Sequence, residues 1–175
     1  MKKNTIVSLF FFVVVTAPGR AQAPGAATKL KAQAVKMGTS FLHKDFKSFS
    51  AYTNPAVLEM VGGSAGMEQI MTGVTDGMKQ RGMSFEDVSM GEPSGLIKSG
   101  KEWQATIPEY IVIATPNGKF RTTSTLIAIS ADNGENWTFM DTSDKDTAII
   151  RKLLPNLSPS IVIPPRQPVV NVTDK

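Results

Sequence analysis

The spacing of apolar residues changes once along this chain, and that change restricts the possible folds more than any other feature. Between Lys29 and Gly82, apolar residues recur every three or four positions, which is typical of helices that bury one face. After Gly82, apolar and polar residues alternate, which indicates strands with one buried face. Helices followed by strands favour an α+β fold, in which an antiparallel sheet carries helices on one face.

Three helices and one further turn are predicted in the first half. The first helix begins near Lys29, Asp45 caps a short second helix, and Asn54-Pro55 opens another turn through Leu58 and Met60. Ser64 is the predicted N-cap of the last helix, whose apolar residues recur at helical spacing: Met67, Ile70, Met71, Val74 and Met78. We interpret this stripe as a helix face packed on a core. An adaptable methionine-rich binding surface is the alternative.

Five strands are predicted in the second half, over 85–90, 96–97, 103–115, 120–130 and 137–141. The segment Thr115-Pro116-Asn117-Gly118-Lys119 predicts a tight hairpin, because Asn-Gly readily adopts positive φ. Pro108 lies inside the third strand and lacks a backbone N–H. It therefore predicts a sheet edge or a β-bulge at that point.

The C-terminal part becomes rich in proline. A short helix is predicted over 146–154, and the segment 155–175 follows it. The apolar insert Ile161-Val162-Ile163 is expected to dock as an extended strap, with the last residues loose. The chain is thus predicted to contain one domain over 28–154 and a proline-rich strap or tail over 155–175.

Residues 1–27 have the pattern of a secretory signal peptide. Lys2 and Lys3 precede an apolar run over 6–15, which small residues follow. Ala21-Gln22-Ala23 has the form of a cleavage site, but Pro24 disfavours that cut, so cleavage after residue 21 or residue 27 stays open. The run is short for a membrane span. We expect a periplasmic or secreted protein that keeps no stable membrane anchor after cleavage.

Charge and composition exclude several classes of function. Of 19 basic and 15 acidic side chains, three basic and no acidic ones lie in 1–27, so the remainder is close to neutral. It has no basic block, which argues against nucleic-acid binding. The absence of cysteine excludes disulfides and thiol catalysis. His43 is the only histidine, which excludes a site built from several imidazoles, and we expect no metal and no cofactor.

The stretch "SADNGENW" over 130–137 contains the spacing S-x-D-x-G-x-x-W, which resembles the Asp box of sialidase-type propellers. A propeller needs several four-stranded blades, and this chain is too short and has one copy. Ser130 and Asp132 suit the acceptor positions of a turn, Gly134 suits positive φ, and Trp137 can pack beneath. We therefore predict a structural turn at a hairpin tip.

Three longer stretches resemble the nuclear transport factor 2-like superfamily, which includes ketosteroid isomerases and SnoaL-like cyclases. They are "FLHKDFKSFSAYTNPAVLEMVGG" over 41–63, "SADNGENWTFMDTS" over 130–143 and "LLPNLSPSIVIPP" over 153–165. The chain is similar to exported members from Bacteroidetes-type bacteria. The resemblance implies a cone, in which a curved antiparallel sheet wraps a long helix and leaves a pocket at its open end. It also implies that a homodimer through the sheet is plausible.

Candidate site residues follow from the expected pocket and are Tyr52, Glu59, Glu109, Tyr110, Arg121 and Asp141. Strand alternation sends Glu109 and Tyr110 to opposite faces. A bulge at Pro108 would reverse the alternation and turn Tyr110 toward the face of Trp103. We therefore predict that Tyr52, Trp103 and Tyr110 bind a ligand, while Glu109 faces solvent.

Two classes of function stay open at this point. The first is a noncatalytic module that binds a small apolar ligand or a partner protein. The second is an acid–base enzyme, of isomerase or dehydratase type, acting on a small carbonyl-containing molecule. A cavity lined only by apolar groups favours the first. A carboxyl buried in the cavity with a raised pKa favours the second.

Overall fold

The predicted α+β class is confirmed by a computed structural model that describes residues 25–143, 145–165 and 167–172. In this part of the chain, five helices pack on an open, six-stranded antiparallel sheet. The helices are α1 (Ala26–Leu42), α2 (Phe46–Tyr52), α3 (Pro55–Met60), α4 (Gly63–Gln80) and α5 (Thr147–Leu153). The strands are β1 (Ser84–Met90), β2 (Ile97–Ser99), β3 (Glu102–Thr115), β4 (Gly118–Ser130), β5 (Thr138–Asp141) and β6 (Val170–Val172). The strand over 170–172 was not predicted. The predicted signal peptide lies outside the described residues, except for 25–27.

The long hairpin of β3 and β4 forms the centre of the sheet. Its register runs without interruption from Thr115↔Gly118 at the turn to Trp103↔Ser130 at the far end. On one side β3 pairs with β1 and β2, and on the other β4 pairs with β5 and β6. Because the register is continuous, each residue of β3 has a fixed partner and a fixed face.

The two faces of the sheet carry separate apolar clusters. On the first face, α1 packs against alternate residues of β3 and β4, including Ile107 and Leu126, with the Trp137 ring alongside. On the second face, Ile127 and Met140 pack against α5 and the segment that follows it. The helices are therefore divided between the faces, and α5 covers the face opposite α1.

The C-terminal strap is held by both apolar and polar contacts. Leu157 and Ile161 are buried on the second face, whereas Val162 points outward and is 75% exposed. The buried Gln104 side chain accepts a hydrogen bond from the Ser158 N–H and donates one to the Asn156 carbonyl. The expectation that the end of the chain is loose is wrong for residues 170–172, because β6 pairs with β4.

Pro108 produces no bulge in β3. The pairing of Pro108 with Thr125 keeps the register of its neighbours, and the shift in the sheet lies in β1, between Phe85 and Asp87. Pairing of β3 with β1 ends beside Pro108, whose carbonyl accepts a hydrogen bond from the Gly91 N–H. Pro108 has no N–H to donate, and this does not disturb the sheet because the neighbouring strand β1 ends at that point.

The apolar stripe of α4 is only partly packed on the core. Met67 is buried, but Ile70 and Val74 are each 43% exposed. Helix α4 contacts α2 and α3 and touches the sheet at β1, rather than lying flat on the sheet as α1 does. The interpretation of the whole stripe as a core face is therefore wrong, and part of it borders a cavity.

Candidate cavity between the helices and the first sheet face

A cavity of about 290 Å³ lies between the N-terminal helices and the first face of the sheet. Its walls come from α1, α2, α4, β1 and the central strands, and they are mainly apolar. The lining includes Met37, Phe41, Phe49, Val57, Met67, Met71, Val74, Phe85, Ile111, Leu126 and Phe139. The polar and charged groups are few: Thr53, Glu109, Asp141 and Lys145. An apolar cavity with a small number of polar groups is the usual form of a small-molecule site.

Glu109 lies in this cavity because of its position in β3. Odd-numbered residues from Trp103 to Ile107 face the first side of the sheet, and Glu109 continues that alternation. The residue is 8% exposed. Its Oε2 accepts a hydrogen bond of 3.0 Å from the Ser124 hydroxyl, and Ser124 is its direct partner across the β3–β4 pair. Among the described residues, none donates a hydrogen bond to Oε1.

The surroundings of Glu109 change its acidity. Burial, and to a smaller extent the negative charge of Asp141, raise the pKa of the Glu109 carboxyl to about 7. The hydrogen bond from Ser124 acts in the opposite direction because it stabilises the ionised form. Glu109 therefore changes its protonation state near neutral pH, as suits a group that accepts and returns protons.

Asp141 is the second carboxyl in the cavity and comes from β5, on the other side of β4. The residue is exposed at the cavity edge, and its carboxylate accepts hydrogen bonds from the N–H and the hydroxyl of Ser143. The ammonium group of Lys145 donates to the main-chain carbonyl of Asp141 at 3.2 Å. One end of an otherwise apolar cavity thus contains one buried and one partly solvated carboxyl.

The predicted orientations of Glu109 and Tyr110 are reversed. Without a bulge at Pro108 the alternation continues, so Glu109 lies in the cavity and Tyr110 lies on the second face. There Tyr110 is half-buried in a groove beside the strap, with the Arg121 guanidinium carbon 5.7 Å from its ring centroid. Any ligand bound by Tyr110 would therefore lie on the opposite side of the sheet from the cavity.

The other two residues predicted to bind a ligand, Tyr52 and Trp103, pack in the apolar cluster of the first face and do not line the cavity. Trp103 is buried in the cluster of the first face, with the Lys98 ammonium group 5.2 Å from its ring centroid. Tyr52, at the end of α2, packs against the same cluster. The structure does not bring Tyr52, Trp103 and Tyr110 together in one pocket, and their binding of a ligand stays a prediction.

The remaining sequence candidates lie away from the cavity lining. Glu59 is exposed on α3, Arg121 is exposed at the second face, and His43 is exposed directly after α1. Ser124, in contrast, was not among the candidates although it bonds Glu109. The sequence could have identified Ser124, because a hairpin register that pairs Thr115 with Gly118 also pairs position 109 with position 124.

Larger grooves lie elsewhere on the described part of the molecule, and two of them exceed 400 Å³. One, of about 480 Å³, lies between the β4–β5 hairpin and the segment after α5 and includes Glu102 and Asp132. These carboxylates are already engaged, with Gln104 and Asn136 respectively. The other, of about 410 Å³, contains Tyr110 and the strap. Neither contains a buried ionisable group, so the smaller cavity is the better candidate for chemistry.

The S-x-D-x-G-x-x-W stretch is a hydrogen-bonded turn docked on α1. The Asp132 carboxylate accepts hydrogen bonds from the main-chain N–H and the side-chain amide of Asn136 and, with a smaller effect, from the Ser130 hydroxyl, and these bonds lower its pKa to about 2. The Trp137 ring N–H donates to the Gly134 carbonyl, and its main-chain N–H donates to the Gln33 side chain. All of these groups are used within the turn and its contact with α1, which fits a structural role.

The fold and the cavity together define a class of protein: an α+β domain with a mainly apolar, small-molecule-sized cavity that contains a buried carboxyl. Among the described residues, no group of three or more histidine or carboxylate side chains is placed to hold a metal ion. No helix in that part of the chain is long and apolar enough to cross a bilayer. The chain matches no protein-family model, no curated protein and no solved structure.

Proposed function

We propose that this protein is an acid–base enzyme of isomerase or dehydratase type, acting on a small, mainly apolar molecule that contains a carbonyl group. The observation that carries the proposal is the Glu109 carboxyl, which is buried in the apolar cavity and has a pKa of about 7. A carboxyl with that pKa is present in both protonation states near neutral pH, so it can remove a proton and return it.

The chemistry assigned to Glu109 is a proton transfer next to the carbonyl. The ionised carboxylate takes a proton from the carbon adjacent to the carbonyl; the electron pair of the C–H bond forms a C=C bond, and the π pair of the C=O bond moves to the oxygen. In a β,γ-unsaturated substrate, return of the proton to the γ-carbon, with the C=O bond re-formed and the C=C bond moved next to it, completes an isomerisation. In a β-hydroxy substrate, transfer of the proton to the β-hydroxyl, which leaves as water as the C=O bond re-forms, completes a dehydration. The apolar walls exclude water, which strengthens electrostatic interactions inside the cavity.

The proposal includes the fold family and the location of the protein. Helices on a face of an antiparallel sheet, with a cavity between them, are consistent with a nuclear transport factor 2-like domain. The charged, apolar and small-residue pattern of 1–27 supports export to the periplasm or the outside of the cell. A homodimer is also compatible with these features.

A noncatalytic binding module is the second candidate. It is favoured by the lining of the cavity, in which apolar side chains greatly outnumber the polar ones. In that case Glu109 would serve only to hold the polar end of the ligand. The two candidates differ in whether a bound carbonyl compound exchanges protons with the protein.

Exchange of protons with deuterated water tests the proposal. We expect the purified protein to accelerate exchange at the carbon next to the carbonyl of at least one member of a panel of aliphatic and aryl ketones, followed by NMR. Glu109→Gln removes the proton acceptor and should lower the accelerated rate about 100-fold or more. The control is Glu59→Gln, the same chemical change at an exposed site outside the cavity, which should keep the rate of the unmodified protein. Ketones that bind without faster exchange would identify the noncatalytic candidate as correct.

A further inference from the structure

The two carboxyls of the cavity have no ion-pair partner in the part of the chain that the structure describes. The ion pairs there join Lys29 with Glu135, Lys31 with Glu92 and Lys119 with Glu86. Lys145 borders the cavity, but its ammonium group bonds a main-chain carbonyl rather than a carboxylate. When both carboxyls are ionised, this end of the cavity therefore contains two negative charges, of which the one on Glu109 is buried and poorly solvated while the one on Asp141 is exposed.

The rest of the cavity lining includes aromatic rings and methionines. Phe41 packs edge-on against Phe85, with ring centroids 4.8 Å apart, and lies 5.8 Å from the ring of Phe49. Met37, Met67 and Met71 complete much of the surface on the helical side. Aromatic faces attract cations, and methionine side chains adapt to ligands of different shape.

We propose that the cavity accepts an apolar amine, preferably one with an aromatic or branched apolar body, and that its ammonium group lies between Glu109 and Asp141. Glu109 has one carboxylate oxygen, Oε1, that bonds none of the described residues, and Asp141 presents at the cavity edge a carboxylate that also accepts hydrogen bonds from Ser143. A bare metal ion is a poorer occupant, because two carboxyls in an apolar lining supply too few oxygen ligands for Ca²⁺ or Mg²⁺.

This inference rests on the proposed function only in using the same cavity. An amine can bind without any proton transfer at carbon, so binding and catalysis can be measured separately. If the enzyme activity is absent and amines bind, the inference stands and the proposed reaction fails. If ketones exchange protons and amines do not bind, the inference fails and the proposed function stands.

Affinity for an amine should depend on pH through the groups that face the binding position. These are Glu109 from β3, Asp141 from β5 and Lys145 from the segment before α5. The described residues that α1, α2, α4 and β1 contribute to the lining are uncharged. Glu109 has a pKa of about 7, so it gains its negative charge as the pH rises from 6 to 8. Attraction of an ammonium group should increase over the same range.

Three probes with one carbon skeleton test the proposal: phenylpropylamine, phenylpropanol and phenylpropanoate. We expect calorimetry at pH 8 to give an affinity for the amine about tenfold or more above that for the alcohol, with the acid weakest. At pH 5.5 the preference for the amine should shrink severalfold, because Glu109 is then mostly protonated. Equal affinities for amine and alcohol at pH 8, or a stronger affinity for the acid, would overturn the proposal.

Variants identify the groups responsible. Glu109→Gln should remove the pH dependence and reduce the preference for the amine about tenfold, and Asp141→Asn should reduce it to a smaller extent because its site is more solvated. Glu59→Gln should change neither quantity. Methionine methyl NMR locates the probe independently: signals of Met37, Met67 and Met71 should shift with the amine, while that of the exposed Met60 should not. Shifts confined to other methionines would place binding elsewhere and refute the proposal.

Discussion

At the scale of single residues, the site depends on which of two neighbours faces the cavity. Glu109 and Tyr110 are adjacent, and one extra residue in β3 would exchange their faces. Pro108 gave a reason to expect that extra residue. The strand β1 instead ends beside Pro108, so the missing N–H needs no bulge and Glu109 stays on the side of Ile107. The carboxyl is thereby placed where its ionisation is costly.

The free energy of unfolding should therefore depend on the ionisation of Glu109. The pKa of Glu109 is raised from 4.5 to about 7, so the folded state holds its proton more tightly than the unfolded state. The resulting stabilisation is fully present below pH 4.5 and is lost as the pH rises through 7. We expect the free energy of unfolding, relative to Glu109→Gln, to fall by about 3 kcal/mol between pH 4.5 and pH 8, measured by urea unfolding.

Other carboxyls should not obscure that measurement. The hydrogen bonds made by Asp132 and Asp45 lower their pKa values, so their contribution is lost only as the pH falls below the ordinary range for aspartate. The contributions of Asp132 and Asp45 therefore change little between pH 4.5 and pH 8, and the comparison with Glu109→Gln reports the ionisation of Glu109. Parallel curves for the unmodified protein and Glu109→Gln across this window would show that Glu109 is not buried in the folded protein.

At the scale of elements, α4 forms part of the cavity wall although its sequence has a low helix propensity. Gly66, Gly73 and Gly77 lie within it, and glycine lowers helix stability by roughly 1 kcal/mol relative to alanine. One of them has a clear packing reason: a Cβ on Gly66 would lie 1.7 Å from the Val61 carbonyl oxygen. A Cβ placed at Gly73 or Gly77 would meet no atom of the described residues within 4 Å, apart from the adjacent residues and the backbone of α4 itself.

These glycines should respond in opposite ways to the same substitution. Gly77→Ala fills open space in a helix interior and should stabilise the protein by about 0.5–1 kcal/mol. Gly66→Ala forces α4 away from the end of α3 and should destabilise it by about 1–3 kcal/mol. Thermal and urea unfolding of the two variants measure the difference. Equal effects would contradict the close approach of α4 to Val61.

At the scale of the whole molecule, the two ends of the described chain are built into opposite faces of the sheet. Ala26 at the start of α1 is 2% exposed and packs in the cluster of the first face. Gly134 approaches it so closely that a Cβ there would lie 2.5 Å from the Ala26 Cβ. The strap seals the second face through Leu157 and Ile161. Residues at both ends of the domain thus contribute to its core.

The burial of Ala26 reduces the range of positions at which the predicted signal peptide can be cleaved. A cut after Ala27 would remove Ala26 from the core and the Gly25 carbonyl that accepts a bond from the Lys29 N–H. We therefore expect the exported protein to begin at or before Gly25, and intact-mass analysis of periplasmic or secreted material gives its first residue. A mass that begins at Thr28 would contradict the packing of Ala26, and one that retains Met1 would contradict cleavage.

The sequence by itself determined the α+β class, the change from helices to strands after Gly82 and the turn over 130–137. These features depend on residues close together in the chain: the period of apolar residues, capping residues, and the Ser130, Asp132 and Gly134 pattern of a turn. Counting residues along both strands from the turn at 116–117 also gives the cross-strand partner of position 109. The sequence did not determine whether a bulge at Pro108 would shift that pairing.

Only the tertiary structure decided the site. Whether Pro108 meets a continuing strand or the end of one depends on where β1 stops, which no residue near Pro108 encodes. The raised pKa of Glu109 likewise arises from α1, α2 and α4 closing over one face, and from Asp141 arriving two strands away. Desolvation and charge–charge interactions act through space, so groups distant in sequence determine the acidity of this carboxyl.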